Sequence, residues 1–111
     1  MNTTRRDMGP VFVALGDPTR RQVLEALAEA GQASATTLAA RLPVSRQAVI
    51  KHLNVLSEAA LVTAGRAGRE VLYQVRPDSL DAAARWLTDL AAFWDRKLDA
   101  VKRAAEGGSP P

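Results

Sequence analysis

A chain of 111 residues, 47% apolar and 24% charged, suffices for one domain with a modest core and not for two. It has no cysteine, which excludes disulfides, thiol catalysis and thiolate metal sites, and no apolar run approaches the roughly 20 residues of a membrane span. The net charge of +3 is uneven: residues 41–76 hold 6 Lys+Arg against 2 Asp+Glu, and residues 77–111 hold 5 against 6, so the basic charge sits in the middle of the chain.

Residues 1–9 are polar and read as a flexible start. Val11, Phe12 and Leu15 form a short apolar stripe, predicting a first helix that stops near Gly16. Asp17-Pro18 is a helix start, with Asp as the cap and Pro at the first helical position, where its missing N–H costs nothing. The second helix buries Val23, Leu24 and Leu27 and ends near Gly31. Ser34 caps a third, with Leu38 and Leu42 inward, and Pro43 stops it. Ser45 caps a fourth, beginning at Arg46.

This fourth helix has two faces. Val49, Leu53 and Leu56 make an apolar stripe, while Arg46, Gln47, Ile50, Lys51 and Asn54 collect on the other side. A helix that packs on a small core and lies in a DNA groove needs this division. After Ala59 the pattern changes to short β-rich runs, Leu61-Val62-Thr63 and Val71 to Val75, joined by Ala64-Gly65-Arg66-Ala67-Gly68-Arg69. They predict a basic β-hairpin. Pro77 opens a last helix running to about Ala105, roughly 40 Å long, unless a break divides it in two. Its stripe is Leu80, Ala83, Leu87, Leu90, Trp94, Leu98 and Val101, with Trp86 and Phe93 beside it. Such a helix outruns so small a domain, so part of its apolar face needs another surface. Residues 106–111 have nothing to bury and read as a disordered tail, which leaves 10–105 as the folded domain.

The order helix, helix, helix, recognition-like helix, hairpin, helix is a winged helix-turn-helix: mainly α, with a two-stranded wing. The residues Phe12-Val13-Ala14-Leu15-Gly16-Asp17-Pro18-Thr19-Arg20-Arg21, then Leu38-Ala39, then Ser45 to Leu53, with Leu61-Val62, Gly68-Arg69, Trp86 and Phe93-Trp94-Asp95, resemble the ArsR family of bacterial transcriptional repressors. The resemblance spans about residues 10–103. It implies a homodimer formed through the first and last helices, a palindromic operator and repression of transcription. Metal-sensing members carry paired cysteines before the recognition helix, or histidines and carboxylates on the last helix. Here the first stretch is Ser34-Ala35-Thr36-Thr37-Leu38-Ala39-Ala40 and the one histidine, His52, lies on the recognition helix. Neither metal site can form, and no cofactor is expected.

The candidate DNA-binding residues follow. Arg46 and Gln47, in the first turn, can pair with guanine O6 and N7 or with adenine N6 and N7. Ser45 caps the helix and can also hold a phosphate at its positive end. Ile50 suits a thymine methyl or sideways packing; Lys51 and Asn54 suit phosphate or base edges, or solvent. His52 falls at the boundary between the faces, with a phosphate as its candidate partner. Arg66 and Arg69 flank the wing turn and suit a minor groove or phosphates. Thr36 and Thr37 open the supporting helix near the backbone. For dimerisation the candidates are Val11, Phe12, Leu15, Trp86, Leu87, Leu90, Phe93, Trp94 and Leu98. The aromatics admit a second reading, as the lining of a pocket for an apolar effector. An effector, small molecule or protein, stays open.

The expected function is that of a cytoplasmic sequence-specific DNA-binding regulator. The alternative is a winged helix used for protein interaction, which would need no accessible basic face. An enzyme is the poorest reading: there is no phosphate loop, and Ser45 and His52 are almost two helical turns apart, too far to share a hydrogen bond.

Overall fold

The computed structural model describes residues 8–107. The expected flexible start and disordered tail fall, for residues 1–7 and 108–111, outside the described residues. Five helices and one hairpin follow in order: α1 (Gly9–Leu15), α2 (Pro18–Ala30), α3 (Ala35–Arg41), α4 (Arg46–Glu58), β1 (Val62–Ala67), β2 (Glu70–Val75) and α5 (Pro77–Gly107).

Three helix starts share one device. The side chains of Asp17, Ser34 and Ser45 accept the backbone N–H groups of Arg20, Thr37 and Ala48, each filling one of the orphan donors of the helix behind it. The C-terminus of α4 uses another. Leu61 N–H donates to the Leu56 carbonyl, and Ala60 N–H to that of Ser57. This is a Schellman closure, and the left-handed residue it requires is Ala60, at φ 59°. Leu56 and Leu61 are both fully buried, which supplies the apolar contact that accompanies the motif.

The core is built from α1 to α4 and the root of β1. Val11, Val23, Leu27, Leu38, Val49, Leu53, Leu56 and Val62 fill it. β1 and β2 pair antiparallel from Val62 opposite Val75 to Ala67 opposite Glu70. Gly68 and Arg69 are therefore the whole turn. Gly68, at φ 65°, takes the left-handed first position of a two-residue hairpin, a conformation costly for a side chain. The strands are longer than the sequence suggests: Gly65 and Arg66 belong to β1, not to a loop. Two backbone hydrogen bonds between Ala33 and Tyr73 tie the hairpin to the α2–α3 connection.

α5 is one unbroken helix of 31 residues, about 46 Å long. It continues through Glu106 and Gly107, and α1 begins at Gly9, so the folded part exceeds 10–105 at both ends. Only the start of α5 reaches the core, through Ser79 and Ala83. Phe12 of α1 braces it at Trp86, with ring centroids 5.4 Å apart and planes tilted by 55°. Beyond that contact every residue of α5 is exposed.

Candidate nucleic-acid interface

The first turn of α4 follows directly from Ser45, whose cap leaves the N-terminus of the helix open to solvent. Gln47, Lys51 and Asn54, spaced by four and three residues, form its outer face. All three are exposed and have no side-chain partner among the described residues. Val49, Leu53 and Leu56 anchor the opposite face in the core. Polar groups free of internal partners on a rigidly packed helix can exchange water for base edges at little reorganisation cost.

The flanks of α4 differ from one another. On one side Ile50 is half-buried and packs against the core. It lines a cleft of about 260 Å³ together with Thr36, Arg46, Arg69 and Tyr73. Recognition helix, supporting helix and wing thus meet around one depression. Arg46 is exposed, yet its Nε donates to Thr36 Oγ1 at 3.0 Å. Thr36 therefore meets Arg46 in the free protein. Thr37 is exposed too, and its hydroxyl accepts from Ser34 Oγ.

On the other flank His52 is half-buried and turned toward α2. Its Nδ1 lies 3.3 Å from Nη1 of Arg20. It is a partner of another helix as well as a candidate for phosphate, a contact that periodicity on α4 alone does not reveal. Asp17 sits beside the same pair. The Arg20 backbone N–H holds its carboxylate below the ordinary value, against the opposing effect of partial burial, and the Arg20 guanidinium adds to the lowering.

Arg66 and Arg69 are exposed and without a partner among the described residues. Arg66 lies in β1 opposite Val71, and Arg69 is in the turn. The hairpin thus holds two free guanidinium groups: Arg69 shares a cleft with Arg46 and Ile50 of α4, whereas Arg66 lines a separate one with Gln32 and Gln74.

Of the residues expected at a dimer contact, Val11 is placed otherwise. It is 2% exposed and belongs to the protomer's own core, because it points from α1 toward α2 and α4. Phe12 and Leu15 are half-buried. Trp86, Leu87, Leu90, Phe93, Trp94 and Leu98 are each 42–59% exposed. Val13 and Val101 join them at 69% and 63%. The exposure of Val13 is not legible in the sequence, because a seven-residue helix is too short for its periodicity to separate two apolar faces.

Among the described residues no three His, Cys, Asp or Glu side chains gather as metal ligands would. No helix there is long and apolar enough to cross a membrane.

Arrangement and surface together define a winged helix-turn-helix DNA-binding protein. Residues 15–63 match the family model described as a helix-turn-helix domain. The chain is 46% identical over 96 residues to the HTH-type transcriptional regulator Rv2034 of Mycobacterium tuberculosis, covering 86% of each. It is 30% identical to the transcriptional repressor SdpR of Bacillus subtilis, over 82% of this chain and 100% of the other. In structure it matches an ArsR-like transcriptional regulator from Rhodococcus sp. RHA1 with a TM-score of 0.81 and 45% identity, covering 88% and 92% of the two chains. The chain belongs to the ArsR family of DNA-binding transcriptional regulators.

Proposed function

We propose that the protein is a cytoplasmic homodimeric repressor that binds an inverted-repeat operator. Each protomer lays α4 in a major groove, with Arg46, Gln47 and Asn54 toward base edges and Lys51 toward phosphate. Arg66 and Arg69 follow the flanking backbone or enter the minor groove. Ser45 and Thr37 sit at the phosphate edge of the same face, and no metal or cofactor is required. The observation that carries this reading is the free polar face of α4, held rigidly by its buried face, with the unpaired Arg69 of the wing turn at the same cleft as Arg46.

The partner protomer is assigned to α5. Its exposed stripe from Trp86 to Val101 is an apolar surface that the protomer's own core does not reach, and it adjoins α1 at Phe12, which is half-buried against that core. A second copy covers it with the same stripe, as two-fold symmetry allows. Covering the exposed half of each large side chain contributes on the order of 1 kcal/mol.

Selection of bound duplexes from a random pool at moderate salt, with the oligomeric state followed by sedimentation, tests the reading. The expected result is a dimer and an enriched inverted repeat whose half-sites are about 10 bp, or a multiple, apart. An enriched site without symmetry defeats the dimeric operator; no enrichment from a folded dimer defeats sequence-specific binding.

A further inference from the structure

Arg20 joins three elements at one point. Its backbone N–H donates to Asp17 Oδ1 at 3.0 Å, the cap of α2. Its Nε donates to the Ala14 carbonyl, in the last turn of α1, at 2.8 Å. Its Nη1 is 3.3 Å from His52 Nδ1, midway along α4. A guanidinium has no lone pair to offer, so Nδ1 is the acceptor and the imidazole proton sits on Nε2. The last carbonyls of a helix have no intrahelical donor, and the positive fork suits that end of α1. Ala14 is fully buried, and Arg20 and His52 are half-buried, so these contacts are partly shielded from water.

The position of this bridge matters more than its strength. α1 bears Phe12 and Val13 of the proposed dimer contact, and α4 bears the reading face. Between them lies apolar packing, which resists separation but has little directionality. Charge-assisted hydrogen bonds from one planar fork do fix direction. We infer that Arg20 is a positioning residue which, through His52, sets the orientation of α4 relative to the dimer contact and so selects the half-site spacing the protein accepts. The inference rests on the proposed dimeric operator. Base steps along a strand are about 3.4 Å apart, so a displacement of roughly 2 Å in each of two symmetric protomers shifts the preferred spacing by one step.

The test uses full-length wild type, Arg20→Gln, His52→Leu and His52→Gln. Dimerisation and thermal midpoint are measured first. Each protein is then titrated with duplexes carrying the selected half-sites at the preferred spacing, one base pair closer and one farther, and with a single half-site. Both Arg20→Gln and His52→Leu are expected to remain dimers; Arg20→Gln should bind the single half-site as wild type does, and for His52→Leu each spacing is read relative to that variant's own single-half-site affinity. Their preference for the right spacing should fall by roughly tenfold, the scale of one charge-assisted hydrogen bond. His52→Gln, whose amide oxygen can accept the Arg20 N–H, should restore it. His52→Leu keeps the test decisive if Arg20→Gln fails to fold. Equal loss on every duplex with a lower salt slope overturns the inference, since it makes Arg20 a phosphate contact; an unchanged spacing preference overturns it as well. A wild-type protein without any spacing preference instead removes the dimeric operator beneath it.

Discussion

Arg46 Nε and Thr36 Oγ1 are 3.0 Å apart, so the first residue of the recognition helix is held by the first turn of the supporting helix before any DNA is present. The bond occupies the inner N–H of the guanidinium and leaves the outer nitrogens free. Those outer donors are the ones an arginine uses when it approaches guanine end-on. A fork already held in place loses less freedom on binding than one free in solvent.

A double-mutant cycle measures that advantage. Thr36→Val is expected to weaken operator binding by about 1 kcal/mol, roughly fivefold, and to relax the preference at the base Arg46 reads. Thr36→Ser should rescue it. In an Arg46→Ala background the same Thr36→Val change should cost nothing. An equal loss in both backgrounds would make Thr36 an independent backbone contact.

The wing arginines should behave differently. Arg69 lies in the hairpin turn and makes no bond within the described protomer, so its gain on binding is electrostatic. Replacing it with Ala should weaken binding by a similar factor on operator and unrelated duplexes. Titrations across salt concentrations should show the slope of log K against log salt reduced by about 0.9, the loss of one phosphate contact. A change of base preference with an unchanged slope would assign Arg69 to direct readout instead.

Much of this arrangement is legible in the sequence because it depends on local chemistry. Asp17, Ser34 and Ser45 cap the helices that their residue types and followers indicate, and the alternation around Val71 to Val75 marks a strand. What escapes is set by contacts distant in the chain. His52 reads as a boundary residue until Arg20, 32 positions earlier, is seen beside it. Arg66 reads as a loop residue because Gly65 interrupts the β pattern, but pairing with Leu72 keeps Gly65 in the strand. Val11 and Phe12 read as one stripe, yet the first enters the core and the second reaches Trp86.

That last distinction gives a sharp contrast between two substitutions. Leu90 is half-exposed on α5 and far from the core, so Leu90→Glu should leave the protomer folded and abolish dimerisation. Sedimentation should report a monomer with a helical circular-dichroism spectrum, and operator affinity should fall by orders of magnitude as one half-site is lost. Val11→Asp places a carboxylate at a position 2% exposed, within the protomer's apolar core. It should lower stability by several kcal/mol and unfold the chain before any effect on assembly is seen. A Leu90→Glu protein that remains dimeric at micromolar concentration would place the contact elsewhere.

Ala60 offers the clearest route to a more stable protein. The Schellman closure after α4 needs a left-handed residue, and Ala60 supplies it at φ 59° against the steric cost of its Cβ. The hydrogen bonds of the closure are made by Leu61 and by the Ala60 backbone itself, and the Ala60 side chain is exposed. Ala60→Gly therefore removes a clash without removing a contact. Its cost is the greater freedom of glycine in the unfolded chain, which is worth less than the strain relieved. The variant should gain about 1 kcal/mol, raising the urea midpoint with an unchanged slope. DNA affinity should stay at the wild-type level, because Ala60 lies beyond the end of α4 opposite Ser45 and Arg46. A lower midpoint would mean that the unfolded-state term outweighs the strain and that Ala60 holds its left-handed conformation at little cost.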